Sequence, residues 1–145
     1  MKSFIPIMLF SLLALACEKE TQKSPNIEIT TEKSEYAINS KIAVTIRNNL
    51  DKQAYYFKCD NVDICPSEIL AHENGTWTEI DNPIACTQTG PMGYWGVLTV
   101  AETKHDTILL PNETGKFKLR YKLIVENDTF NFDSNEFLLY ALLDK

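Results

Sequence analysis

From Asn26 onward, apolar and polar residues alternate with a period of two, as in strands that bury one face and wet the other. "IEITTE" sets Ile27 and Ile29 against polar neighbours. "KIAVTIRNN" places Ile42, Val44 and Ile46 on one face and closes on two turn-forming asparagines. "QAYYFK" and "SEILAHE" follow, and then Asn74-Gly75. That pair is the strongest short hairpin signal, because both central residues of a type I′ turn need φ > 0. "TWTEI" is then the returning strand, with Trp77 and Ile80 expected to pack inward. A loop-rich stretch from Asp81 to Gly96 separates it from two further candidate strands, "VLTVAET" and "HDTILLP". "KFKLRYKLIVE" alternates strictly: Phe117, Leu119, Tyr121 and Leu123 are expected inside, and Lys116, Lys118, Arg120 and Lys122 outside. The final strand is "NEFLLYALL". No segment of ten or more residues carries a 3.6 period, and two Trp, six Tyr and seven Phe supply a core. About seven to nine short strands at roughly 8–12-residue spacing predict an all-β antiparallel sandwich.

Ahead of that pattern the chain has another character. Lys2 precedes an apolar run from Phe4 to Leu15. The run falls short of the roughly 20 residues that span a bilayer, and Pro6 disfavours a membrane helix. With small residues at Ala14-Leu15-Ala16, residues 1–16 are expected to be a secretion signal. Leu13-Ala14-Leu15-Ala16-Cys17 resembles the lipobox of bacterial lipoproteins, although Ala14 stands where that motif usually has leucine and Leu13 is one place off. The resemblance implies cleavage after Ala16, a diacylglycerol on the Cys17 sulfur and a fatty acyl chain, such as palmitate, on its amine. Two or three chains at roughly 0.8 kcal/mol per buried methylene hold a protein to the membrane permanently. The alternative is an ordinary signal peptide with a cysteine just past its end. Polar "EKETQKSP" then reads as a tether, so the expected organisation is 1–16 leader, 17–25 lipidated tether and 26–145 sandwich. The expected location is the outer membrane, facing the periplasm or the cell exterior.

The formal net charge is −6, and without Lys2 about one unit more negative. Such a surface repels phosphate backbones and argues against nucleic-acid partners. The order of features from "YAINSKIAVTIRNNLDKQAYYFKC", through the Trp77 strand and Cys86, to "GKFKLRY" and "SNEFLL" resembles a family of bacterial secreted immunoglobulin-like domains, many of them lipoproteins. The resemblance covers residues 27–142. It departs at Asn112, where the late turn usually has glycine, and at Cys65, an additional cysteine. It implies an immunoglobulin-like β-sandwich in the envelope and no particular reaction. In an oxidising compartment Cys59, Cys65 and Cys86 allow one bond. The resemblance favours Cys59 with Cys86, closing a loop of about 28 residues that contributes roughly 3–4 kcal/mol. Cys65 with Cys86 is the other pairing.

Candidate chemistry is sparse. Cys59 and Cys65 lack the tight spacing of structural zinc sites, and His72 and His105 sit in polar surroundings, so no metal or other cofactor is expected. No G-x-S-x-G, H-E-x-x-H or phosphate loop is present, and the acids are scattered along strand faces and turns. The chain is expected not to be an enzyme. "GPMGYWGV" offers Met92, Tyr94 and Trp95 among flexible glycines, a place where sandwiches bind partners. Trp95 capping the core is the competing expectation. Two functions follow: an interaction module for a protein or glycan partner, or a metal-handling or redox lipoprotein using Cys65 with a nearby His or Met.

Overall fold

The computed structural model describes residues 26–58, 63–81, 95–109 and 112–142. Eleven strands lie among them: β1 (Ile27–Thr31), β2 (Glu35–Ala37), β3 (Lys41–Asn48), β4 (Ala54–Phe57), β5 (Glu68–Glu73), β6 (Thr76–Ile80), β7 (Trp95–Leu98), β8 (Thr103–Leu109), β9 (Gly115–Val125), β10 (Asp128–Asp133) and β11 (Phe137–Tyr140). They form the expected all-β, immunoglobulin-like sandwich, with a three-stranded sheet β1-β3-β8 facing an eight-stranded one. The count exceeds the predicted seven to nine. The short β2 was not anticipated, and the segment between the last two predicted strands holds β10.

The long strand β9 organises the larger sheet. Its inward row, Phe117, Leu119, Tyr121, Leu123 and Val125, is buried throughout, as the alternation predicts. Both of its edges are occupied. On one, β4 pairs at Tyr55–Ile124 and Tyr56–Leu123, and β5 takes over at Glu68–Arg120 through Ala71–Phe117. On the other, β10 runs from Asp128–Val125 to Asp133–Arg120, and β11 resumes at Phe137–Phe117. Residues 134–136 therefore stand opposite only residues 118 and 119, which is a β-bulge. Ser134 satisfies the bulge: its amide donates to the Leu119 carbonyl at 2.8 Å, and its Oγ accepts from the Leu119 amide at 3.0 Å. Asn135 then reaches the other sheet. Its Oδ1 accepts from the Thr31 amide at 2.7 Å, and its Nδ2 donates to Thr31 Oγ1 at 2.9 Å.

Two hairpins have both central residues at positive φ. Asn74 (φ 50°) and Gly75 (φ 84°) form the predicted turn between β5 and β6. Glu126 (φ 51°) and Asn127 (φ 79°) join β9 to β10, a turn that sequence reasoning passed over because glutamate is disfavoured there. Asn48 ends β3 and forms the turn as expected, but from a fully buried position. Its Nδ2 donates to the carbonyls of Lys52 (2.8 Å), Leu98 (3.1 Å) and Thr99 (3.0 Å), and its Oδ1 accepts from the Leu50 amide at 3.0 Å. This one side chain gathers the β3–β4 turn and the end of β7.

Residues 63–67, ahead of β5, pack against the edge of the sandwich. Ile64 and Cys65 are buried, the Ile64 amide donates to Asp106 Oδ2 on β8 at 3.0 Å, and Asp63 pairs with Lys58 (3.1 Å) and Lys104 (3.3 Å). A single core results, drawing on both sheets through Ile29, Ile42, Val44, Ile46 and Ile108 on one side and Tyr56, Ile69, Leu98 and the β9 row on the other.

Trp77 corrects an expectation. Ile69 and Ala71 point into the core, so Leu70 and His72 point away from it. Trp77 lies directly opposite His72 and shares its face. Its ring sits 4.9 Å from the His72 ring, with the Lys118 ammonium 4.7 Å above it, so the indole covers the outer surface of the sheet. Ile80, opposite Ile69, does pack against the core.

Gly96 leaves room for a neighbouring ring. It pairs with Tyr56, whose ring, 1% exposed, occupies the space where a side chain at 96 would begin. Gly96→Ala forces the ring off its position and is expected to cost about 1–3 kcal/mol, read as a lowered denaturation midpoint. A loss below about 0.5 kcal/mol would show that the ring has other places to go.

Candidate interaction face

The outer face of the larger sheet follows from the phase of its strands. In β4, Ala54 and Tyr56 are buried, which turns Tyr55 and Phe57 outward. In β7, Gly96 and Leu98 are buried, which turns Trp95 and Val97 outward. The register sets these in pairs, Phe57 opposite Trp95 and Tyr55 opposite Val97, and Tyr55 also faces Ile124 of β9. The Phe57 and Trp95 rings meet edge to face with centroids 5.2 Å apart. Trp95 remains 53% exposed and Val97 37% exposed. The Trp95 indole therefore does not cap the core; it stands in an apolar row of five side chains on the surface.

At the Tyr55 end the row runs into a shallow cleft of about 270 Å³ lined by Lys52, Gln53, Tyr55, Ile124, Glu126 and Asn127. Lys52 Nζ and Glu126 Oε1 pair across it at 2.5 Å, and Gln53 donates to the Tyr55 hydroxyl. The hydrogen bond that Lys52 donates to the Glu126 carboxylate raises the pKa of Lys52 above its ordinary value. Glu126 holds this place through the positive φ of the β9–β10 turn.

Beyond Ile124 the same face carries the predicted row of cations on β9, but each is met by an acid. Lys116 pairs with Glu136 (3.1 Å), Lys118 with Asp133 (2.6 Å), Arg120 with Asp133 (2.7 Å) and Glu68 (3.3 Å), and Lys122 with Glu68 (4.0 Å). This near-neutral lattice offers little attraction to a polyanion, in keeping with the overall negative charge. The Tyr55–Phe57–Trp95–Val97 end is the aromatic-rich apolar part of the face; on the far side of β9, Leu138 and Tyr140 of β11 are also exposed.

Of the residues singled out in the sequence, Trp95 lies on this exposed face. Cys17, Cys59, Cys86, Met92 and Tyr94 lie outside the described residues, and so does the proposed Cys59–Cys86 bridge. Cys65 is buried near Asp106. Burial first, and the Asp106 charge second, push its thiol up to about 12. That is the reverse of an activated thiolate, which needs a lowered pKa. His105 Nδ1 is within 3.0 Å of Thr45 Oγ1 on the three-stranded sheet, while the His72 ring lies tilted against Trp77 in the other. Among the described residues no three His, Cys, Asp or Glu side chains converge as metal ligands.

Sequence reasoning missed Tyr55, Phe57, Val97 and Ile124. The signal lay in "QAYYFK": three consecutive aromatics cannot all face one way in a strand, so either Tyr56 or the Tyr55–Phe57 pair had to be outside. Tyr56 goes in because Gly96 makes room for it.

No family model matches the chain, and no curated protein matches it. Among solved structures, it is similar to the ASH/PapD-like domain of human CEP192 (PapD-like domain 7), with a TM-score of 0.38 and 12% identity, covering 95% of this chain and 100% of that one. An overlap of that size says nothing about a partner.

The ion-pair lattice carries its own pH dependence. The Arg120 guanidinium, with Lys118 beside it, holds the Asp133 carboxyl below the usual carboxylate range. A carboxyl whose folded pKa lies below its unfolded value, near 4, stabilises the fold fully above that value. The contribution is lost as pH falls through the folded pKa. Asp133→Asn is therefore expected to lower the melting temperature at pH 7 and to reduce the further drop on acidification below about pH 4. Equal acid-induced drops in both proteins would contradict this.

Proposed function

We propose that this chain is a non-enzymatic, lipid-anchored envelope protein whose sandwich binds a protein partner through the outer face of β4 and β7. The observation that carries the reading is Trp95, 53% exposed beside Phe57 although it could have been buried in the core. A large aromatic in contact with water is costly for a lone monomer, and Trp and Tyr are the side chains enriched where interfaces concentrate their binding energy. The groups gathered at this face are aromatic, aliphatic and amide. They suit contact rather than proton transfer or nucleophilic attack.

The anchor belongs to the same reading. Cys17, acylated after removal of residues 1–16, holds the domain at the outer membrane, and residues 18–25 give it reach into the periplasm or to the cell exterior. The lipobox resemblance and the charged tether support this. A protein anchored in this way meets its partners within a thin layer, where a modest apolar face is sufficient.

Two variants test the two halves separately. Cys17→Ser is expected to abolish incorporation of labelled palmitate and release the protein from the membrane fraction. Trp95→Ala is expected to leave the melting temperature within a few degrees of wild type and to remove the protein adducts that photo-crosslinking from neighbouring positions produces in cells. A Trp95→Ala protein that loses most of its stability would show that the indole is structural.

A further inference from the structure

Among the described residues six strands pair along one edge only: β1 and β8 in the three-stranded sheet, and β2, β6, β7 and β10 in the larger one. An unpaired edge is a template for another strand, and natural sequences guard it with charge, proline or a bulge. Five of the six are guarded by charge: Glu28 on β1, Glu35 on β2, Glu79 on β6, Lys104 and Asp106 on β8, and Asp128 and Asp133 on β10. The β7 edge, Trp95-Gly96-Val97-Leu98, has neither charge nor proline. It is also the strand with the exposed Trp95 and Val97.

We propose that β7 pairs antiparallel with β7 of a second copy of this chain. The inference rests on reading the β4–β7 face as an interaction surface and names the partner. Face alternation restricts the register. Residues directly opposite in an antiparallel pair share a face, so Trp95 opposes an outward residue of the other copy, Trp95 or Val97, and centring the pair on the small Gly96 sets it against Val97 and keeps the two indoles apart. The two-fold axis then passes between the two Gly96 residues, and Trp95 meets the other copy's Val97 twice. Aromatic against β-branched is a favourable cross-strand pair. Behind it the Tyr55 and Phe57 rows of both copies join into one apolar band, with no charged residue on either β7 to desolvate.

The chain's point of entry fits the same axis. A two-fold axis perpendicular to the joined sheet keeps both three-stranded sheets on one side of it. The N-terminal strand β1 lies in that sheet. Both tethers therefore leave from the same layer, and residues 18–26 extend to about 30 Å, enough for two Cys17 anchors to sit in one membrane. A foreign strand would satisfy the edge as well, but nothing in its attachment would be matched to the bilayer.

The test uses the full lipidated chain. A photo-crosslinking residue in place of Val97 is expected to give, in cells, an adduct of twice the chain mass whose peptides all derive from this chain. Sedimentation of the wild type in detergent is expected to show a dimer, and Val97→Lys is expected to weaken it about tenfold or more without changing the melting temperature. A crosslink to a different protein, with a monomeric wild type, overturns the second copy while leaving the interaction face standing. A monomer that gives no adduct overturns both. A Val97→Lys protein that remains a dimer overturns pairing through β7.

Discussion

The structure depends on one strand being hydrogen-bonded along both edges. β9 is eleven residues long, and four other strands share its two sides, β4 and β5 on one, β10 and β11 on the other. Each handover requires a local irregularity. On one edge it is the bulge at residues 134–136, closed by Ser134. On the other it is the excursion that carries Ile64 and Cys65 into the core and ties Asp63 to Lys104. A strand used in this way fixes two surfaces at once. Its inward row supplies the core, and its outward row supplies the lattice of ion pairs from Lys116 to Lys122.

The exposed apolar face is a consequence of that arrangement. Because β9 ends beyond β5 and continues alongside β4, the larger sheet extends outward at β7, and the phase of β4 is set by Tyr56 entering the core over Gly96. Tyr55, Phe57, Trp95 and Val97 are left on the surface by the same alternation that buries Tyr56 and Leu98. Side chains on paired strands are held more rigidly than those on loops, so the band has a fixed shape. Next to it the paired acids and bases of β9 neither attract nor repel strongly.

Much of the fold was legible in period-two alternation. The inward rows of β3 and β9 and the Asn74–Gly75 hairpin were all readable because each has a local physical cause. What escaped reading had a non-local one. Glu126 and Asn127 adopt positive φ because β9 and β10 are held together over six register positions, which outweighs the preference of a glutamate. Trp77 looked like a core residue by its chemistry, but its pairing with His72 decided its face. The candidate site was half legible: Trp95 was flagged by composition, whereas Phe57 and Tyr55 required knowing that Gly96 lies opposite Tyr56.

Residue-resolved hydrogen exchange under native conditions addresses the central role of β9 most directly. β9 is paired on both sides at Phe117, Arg120, Leu123 and Ile124, so the amides of this stretch are expected to exchange only through global unfolding and to be the slowest in the chain. If those amides exchanged by local opening while β1 and β8 stayed protected, β9 would not be the strand on which the sandwich is built.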